Sequence, residues 1–266
     1  VNWLEAPGPG LVAEVLESLQ SGAASPITLT IDSTAFCDTS SNRKLGIGSS
    51  AAVTVALASA IAQAHGLPSV TVDVPAAIHK RFQHGKGSGV DIATSFSGGV
   101  IAYSMSPDPA IDSLAWPSGL EFRLLWSGRP ADTADSIRRI AGVRGDDETL
   151  QALIGQSTTV SALWRDGDVA ALLPGLKQYV ADLAAFDLAQ GVGIFAAGHG
   201  ALVEQAQTLD VVYKPCGAGG GDIGIALAAA GDNRLDKFTD VALARGFTII
   251  DTHVDTAGVM LHVEAA

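Results

Sequence analysis

Cysteine is scarce in this chain: only Cys37 and Cys216 occur among 266 residues, and they lie far apart. Two distant cysteines match no metal-ligand spacing and form no disulfide framework, which favours a reducing cytoplasm. The histidines show no H-x-x-x-H spacing and the serines no G-x-S-x-G elbow. The sequence therefore lacks the usual signatures of a zinc hydrolase and of a serine hydrolase.

Positive charge is also in short supply, since 16 Lys and Arg residues stand against 28 Asp and Glu, a formal net charge of −12 at pH 7. Binding to nucleic acid or to an acidic membrane needs clustered basic residues, so neither partner is expected. The stretch 46–72 contains no charged residue, but polar residues interrupt it and it stops at Gly66 and Pro68. It predicts a buried core helix rather than a membrane span, and any anion site must be local.

The periodicity of the chain predicts an α+β protein, and a hydrophobic content of 47% is ample for a packed core. A proline-rich joint at 107–117 predicts the boundary between two domains. Ser49 and Asp73 are expected to cap the helices that they begin. The expected helices cover 11–19, 49–65, 73–85, 132–142, 147–165, 168–189, 195–208 and 234–245, and the expected strands cover 27–31, 98–104, 120–126, 247–251 and 258–263.

Lys44-Leu-Gly-Ile-Gly-Ser-Ser-Ala-Ala52 connects a polar loop to the charge-free helix. Backbone N–H groups and the helix dipole at such a start attract an anion, and the two serine hydroxyls suit a nucleotide phosphate and its Mg²⁺. A Rossmann fingerprint would need a preceding strand and an acidic residue about twenty positions on, and no G-x-x-x-x-G-K-[ST] is present. A tight helix entrance without a ligand is the alternative.

Lys86-Gly-Ser-Gly-Val-Asp91 follows a basic segment, 79–86, in an otherwise acidic chain. An aspartate after such a segment could stay ionised and accept a proton from, or orient, a group that attacks a phosphoryl centre. The alternative is a turn residue that binds its own backbone, with the basic residues on a solvated helix face.

Gly217-Ala-Gly-Gly-Gly-Asp222 lies between two apolar segments. Glycines let main-chain amides form an anion-binding concavity where side chains would collide with the ligand. A flexible hairpin is the alternative.

Together these segments resemble the GHMP kinase superfamily of ATP-dependent small-molecule kinases. Gly46–Ala52 is similar to its second motif, the phosphate-binding loop, and Gly217–Asp222 to its third motif. Within the superfamily the likeness is strongest to the phosphomevalonate kinase family. Its members carry segments similar to His84–Asp91, Trp126–Thr133 and 217–227.

The resemblance implies a two-domain α+β fold. It consists of a ribosomal protein S5 domain 2-like N-terminal, ATP-binding domain at 1–108 and a ferredoxin-like C-terminal domain at 109–266. The family's first motif, a Pro-Gly-Lys segment, is not found, so a segment before Val1 is expected to be missing. The implied activity is phosphoryl transfer from ATP, with Mg²⁺, to 5-phosphomevalonate, giving 5-diphosphomevalonate in the mevalonate pathway of isoprenoid biosynthesis. The expected location is the cytoplasm.

The resemblance also implies roles for individual residues. The catalytic positions of the family are matched by Asp91 and Lys86. Its nucleotide-binding loop is matched by Gly46, Gly48, Ser49, Ser50 and Ala51, with Ser50 also a Mg²⁺ ligand. Its substrate-binding positions are matched by Ser88, Gly89, Gly217, Ala218 and Gly219. Mevalonate kinases place a Mg²⁺-binding glutamate on the helix before the aspartate, where this chain has His79, Lys80, Arg81 and Gln83. That difference favours an acceptor that already carries a phosphate.

Two alternatives stay open. One is another GHMP small-molecule kinase, such as a mevalonate kinase, and the other is a non-catalytic member that binds a nucleotide or metabolite. The sequence leaves the oligomeric state open, with a homodimer among the options.

Overall fold

A computed structural model describes residues 9–19, 27–39, 41–85, 87–105, 109–131, 133–231 and 233–262. These residues form two compact units that do not follow the order of the chain. Unit 1 contains the described residues up to Cys37, those of Gly48–Leu114 and those from Val254. Unit 2 contains the described residues of Asp38–Ile47 and of Ala115–His253. None of the helices in this described part of the chain is long and apolar enough to cross a membrane.

Unit 1 combines helices with a two-stranded antiparallel hairpin. Its elements are α1 (Pro9–Ser18), α2 (Ser49–Ala64), α3 (Asp73–Phe82), α4 (Val90–Ser97), β1 (Val100–Ser104) and β2 (Ala110–Leu114). Leu11 and Val15 of α1, Leu57 and Ile61 of α2 and Ile78 of α3 form a buried core. The core thus holds the charge-free helix α2 between its neighbours and fixes the position of its N-terminus.

Unit 2 is built on an antiparallel sheet with the strand order β4-β5-β3-β6 within the described residues. Its elements are β3 (Leu120–Trp126), α5 (Thr133–Ile140), α6 (Glu148–Asp166), α7 (Val169–Gln190), α8 (His199–Thr208), β4 (Val212–Pro215), β5 (Ile223–Ala229), α9 (Arg234–Ala244) and β6 (Thr248–Ile250). Helices after β3 and after β5 give a β-α-β-β-α-β order, which is the ferredoxin-like arrangement. Leu125, Leu202, Tyr213 and Phe238 are buried in its main core. The α+β prediction is confirmed.

Two predicted strands are wrong. Residues 27–31 join no strand ladder among the described residues; instead Ile27, Leu29 and Ile31 pack against the core of α1 and α2. Their alternation reflects one-sided burial, which does not require strand pairing. Residues 258–262 also join no ladder, since Gly258 packs against the backbone near Gly98, and residue 263 lies outside the described residues.

The predicted helix caps shift by one residue. Gly48 precedes α2 in a left-handed conformation, so Ser49 is the first helical residue rather than the cap. Val72 precedes α3, and Asp73 stands in its first turn. Sequence reasoning missed β2 and α4, and α4 is the helix that carries Asp91. It also named no strands at β4 and β5, although the hairpin alternative for 217–222 implies such a pair, and the two strands are indeed antiparallel neighbours.

Candidate active site

The N-terminus of α2 offers unpaired donors beside open space. Gly48, at φ 84°, precedes the helix, and no side chain caps it. The amides of Ser49, Ser50 and Ala51 belong to the first turn, where a helix has no carbonyl partners for them. A Cβ placed on Gly48 would meet nothing within 4 Å. This end of α2 can therefore receive an anion without rearrangement.

His79 of α3 holds the Ser50 hydroxyl in place. The two lie 3.1 Å apart, from Nε2 to Oγ, and His79 is only 2% exposed. Burial lowers the pKa of His79, while the negative charge of Asp91 opposes that shift. With the ring neutral and its proton on Nδ1, Nε2 accepts the Ser50 proton, which leaves the lone pairs of Oγ free for a cation. The alternative interpretation, in which the basic residues of this helix lie on a solvated face, fails for His79.

Asp91 lies in the first turn of α4, in the same unit as Ser50 and His79. One carboxylate oxygen accepts the Ile92 N–H at 2.9 Å. The preceding loop is anchored to β1, because the Tyr103 hydroxyl donates to the Ser88 carbonyl at 2.8 Å. A Cβ on Gly89, at φ 80°, would approach the same hydroxyl to 3.3 Å. Asp91 therefore has a fixed backbone; Lys86 lies outside the described residues.

The glycine loop of unit 2, Gly217–Asp222, is shaped by close packing. A Cβ on Gly219 would overlap Ile194, and one on Gly221 would overlap the backbone at 129–131. The Gly220 amide donates to the Ile194 carbonyl at 2.8 Å. Among the bonds found in the described chain, none uses the amides of Gly217 or Ala218. The loop is thus held from behind, while these two donors stay available to a ligand.

His199 and Tyr213 support this loop from the core. His199 is fully buried; its Nε2 donates to the Gly221 carbonyl at 3.0 Å, so its Nδ1 accepts the Tyr213 hydroxyl at 2.8 Å. Burial lowers the pKa of His199 and raises that of Tyr213. Sequence reasoning missed both residues, because an isolated histidine and tyrosine carry no motif.

Gly46 lies in unit 2, whereas Gly48–Ala51 lie in unit 1. A Cβ on Gly46 would overlap the carboxyl of Asp222, so packing alone requires glycine there. Burial raises the pKa of Asp222, whose Oδ1 accepts the Ala131 N–H at 3.2 Å. Gly46 is thus held against the glycine loop. This contact explains why the first residue of the second motif is a glycine.

Comparison with known proteins places these features in a family. Residues 10–99 match the family model for the GHMP kinases N terminal domain. The chain is 32% identical over 272 residues to a phosphomevalonate kinase of Streptomyces sp. (strain CL190), covering 88% of this chain and 67% of that protein. A mevalonate kinase of Aeropyrum pernix is 30% identical over 158 residues, 54% of this chain and 47% of that protein.

A solved structure of similar fold is Streptococcus pneumoniae phosphomevalonate kinase in complex with phosphomevalonate and AMPPNP. It has a TM-score of 0.76 and 18% sequence identity, and the match covers 92% of this chain and 80% of that chain. At this identity the likeness concerns the fold.

Proposed function

Because the chain belongs to the GHMP kinase family, we propose that it transfers the γ-phosphoryl group of ATP to the phosphate of 5-phosphomevalonate, giving 5-diphosphomevalonate. The observation that carries this choice of acceptor is the 32% identity to a phosphomevalonate kinase over 88% of the chain. The proposed location is the cytoplasm. The division into a nucleotide-binding domain at 1–108 and a second domain at 109–266 stays a prediction.

The nucleotide phosphates are proposed to bind at the start of α2. The amides of Ser49, Ser50 and Ala51 supply donors, and the helix dipole adds positive potential. The open space at Gly48 leaves room for a phosphate that any larger side chain would occupy. Gly46, two residues before Gly48 in the chain, is proposed to hold the start of the loop, since Asp222 fills the position of its missing side chain.

Ser50 is the proposed protein ligand of Mg²⁺, and the donor set fits this ion. No cluster of three acidic, histidine or cysteine side chains that could hold a metal exists within the described residues. Magnesium in kinases is held largely by phosphate oxygens and water, so one hydroxyl oxygen is a suitable protein ligand. Bound there, the ion would neutralise charge on the phosphates. His79 serves as a positioning residue, because accepting the Ser50 proton turns the Oγ lone pairs outward.

Asp91 is proposed to act through charge and position rather than through removal of a proton. A phosphate acceptor is already ionised near neutral pH, so a base has little to remove. Lys86 is the proposed partner that Asp91 orients toward the transferring group, and it would stabilise negative charge there. Ser88 and Gly89 are proposed to contact the substrate from the loop that Tyr103 anchors.

The glycine loop is proposed to bind substrate through main-chain donors. The amides of Gly217 and Ala218 face no partner among the described residues, and the packing of Gly219 against Ile194 holds the loop in this shape. Any side chain at Gly219 would displace the loop from Ile194 and move these donors.

A coupled assay of ADP formation tests the proposal. The chain, or a longer form that includes any preceding segment, is expected to turn over ATP with 5-phosphomevalonate and to use mevalonate poorly. Equal or faster turnover of mevalonate would favour the second candidate, a mevalonate kinase. This candidate is considered because the chain is 30% identical to such an enzyme over 158 residues. His79 beside Ser50 is an argument against a mevalonate kinase, because in such an enzyme a metal-binding carboxylate is expected on this helix.

A further inference from the structure

Unit 2 contains a cavity of about 580 Å³ that is lined by three arginines. Arg43, Arg129 and Arg245 contribute guanidinium groups, and no carboxylate is among the described residues that line it. The chain as a whole carries a net charge of −12. A wall with only positive charges is therefore a local exception in an acidic protein. We call it the arginine cavity.

Among the described residues, no acidic side chain forms an ion pair with any of these three guanidinium groups. The ion pairs found among the described residues involve other basic side chains. Arg43 donates one hydrogen bond to the Gly128 carbonyl at 3.1 Å, which orients the group, and no other bond from its guanidinium is found within the described part of the chain. Three uncompensated positive charges around one cavity repel each other, and an anion bound among them would relieve that repulsion.

The N-terminus of α8 opens into the same cavity. Gly198, which caps this ten-residue helix at φ 91°, and Ala201 in its first turn both line the wall. No side chain caps the helix, but the His199 N–H donates to the Ala196 carbonyl and the Gly200 N–H to the Phe195 carbonyl. Among the bonds of the described residues, none uses the Ala201 N–H, so this donor of the first turn is available to a ligand. The three arginines therefore carry the argument for an anionic ligand, and the Ala201 N–H adds one donor.

We propose that the arginine cavity is a second anion-binding site, specific for a diphosphate group, and that its occupancy is transmitted to the glycine loop. A diphosphate provides several acceptor oxygens for three guanidinium forks, which bind phosphate oxygens in a bidentate manner. None of the residues proposed to hold ATP or substrate lines this cavity.

Two hydrogen bonds connect the cavity wall to the glycine loop. The Arg129 carbonyl accepts the Asp222 N–H at 2.7 Å, and His199, the first residue of α8, donates to the Gly221 carbonyl. A ligand that draws Arg129 and the start of α8 inward thus pulls on both residues at the end of the loop. This transmission rests on the proposed function, whereas binding of the anion does not.

Calorimetric titration of the full chain with inorganic pyrophosphate, at low ionic strength and with saturating AMPPNP and excess Mg²⁺, tests the site. AMPPNP occupies the nucleotide site, so any remaining binding reports another one. We expect one pyrophosphate to bind, and Arg129→Gln and Arg245→Gln each to raise its Kd about tenfold, the scale for losing one hydrogen bond to a charged group. Arg144→Gln, which removes an exposed arginine of unit 2 outside the cavity, is the matched control and should change nothing.

Each outcome of these titrations either supports or overturns the proposed anion site. No pyrophosphate binding in the presence of AMPPNP would overturn the proposal. A tenfold loss of AMPPNP affinity in the two cavity variants would assign the arginines to the nucleotide site and overturn it too. An unchanged pyrophosphate Kd in both variants would overturn it as well. Methyl diphosphate, titrated in the same way, tells whether the natural ligand is the free anion or an ester. If pyrophosphate binds as expected but no acceptor supports ADP formation, the proposed function fails and the anion site stands.

Discussion

Replacing His79 by phenylalanine is expected to weaken MgATP binding while leaving the fold intact. Phenylalanine keeps the ring volume and the contact with Phe82, whose ring centroid lies 6.4 Å from that of His79. What disappears is the 3.1 Å bond from the Ser50 hydroxyl to Nε2, together with the 3.4 Å hydrogen bond between Nε2 and the Gln83 side-chain amide. A neutral hydrogen bond contributes about 1 kcal/mol, so folding should survive the change.

The effect on MgATP should exceed that of the lost bond alone. Without an acceptor at His79, the Ser50 hydroxyl turns its proton elsewhere and no longer presents its lone pairs steadily to the cation. Interactions with charged groups contribute about 1.5–3 kcal/mol, so the Kd for MgATP should rise at least about tenfold. Glutamine places a carbonyl oxygen near the position of Nε2, so His79→Gln should recover most of the affinity. Fluorescence or calorimetric titration with MgATP, repeated with ATP in EDTA, measures both effects.

The pH dependence separates positioning from packing. Since burial lowers the pKa of His79, Nε2 takes up a proton only below the ordinary value of 6.5. The affinity of the wild type for MgATP should fall as the pH drops into that range, whereas the affinity of the glutamine variant should fall only as far as protonation of ATP itself requires. Equal MgATP affinities for wild type, Phe and Gln variants at pH 7.5 would refute the reasoning and leave His79 a core residue.

Three further changes test other parts of the site. Asp91→Asn should fold normally and lower kcat about 100-fold, as expected for loss of a key positioned charge, and a near-normal kcat in the coupled assay would make Asp91 a structural helix-start residue. Gly48→Val should weaken MgATP binding. The control is Gly119→Val, which also changes a glycine of positive φ with nothing within 4 Å; it should lower stability by the same amount, about 1–2 kcal/mol, without affecting affinity. Equal MgATP affinities in the two variants would remove Gly48 from the nucleotide site. Because burial lowers the pKa of His199, protonation favours the unfolded chain, so the free energy of unfolding in urea should decrease as the pH falls below 6.5, and His199→Gln should reduce that decrease. An identical slope in wild type and variant would show that His199 contributes nothing to the pH dependence.

Sequence reasoning located the helices of the site better than the contacts between them. The charge-free run predicted α2, and Gly48 lies one residue from the predicted cap. Helix α4 was missed because Asp91 was considered as a catalytic residue or, alternatively, as a turn residue, and neither interpretation assigned a helix after Gly-Ser-Gly. A signal was nevertheless present, since Ile92, Ala93 and Phe96 have helical spacing after a glycine.

Other features depend on residues that are distant in the chain. The pairing of Gly46 with Asp222 spans most of the sequence, and neither residue type identifies the other. The burial of His79 beside Ser50 follows from the packing of α3 on α2, whereas its basic sequence neighbours predict exposure. Pattern reasoning captures local periodicity and motif order; it cannot supply the packing that turns a histidine from a surface charge into a hydrogen-bond acceptor.

The order in which the ribosome makes this chain sets a limit on how unit 1 can fold. Its helices and hairpin are complete by Leu114, yet residues from Val254 onward also belong to it. The Gly99 amide donates to the Asp255 carbonyl, and the Val259 amide donates to the Phe96 carbonyl. The larger part of unit 2, Ala115–His253, is synthesised between these two parts, and its other part, Asp38–Ile47, is made earlier. Unit 2 can therefore finish folding first, while the end of α4 in unit 1 stays uncovered.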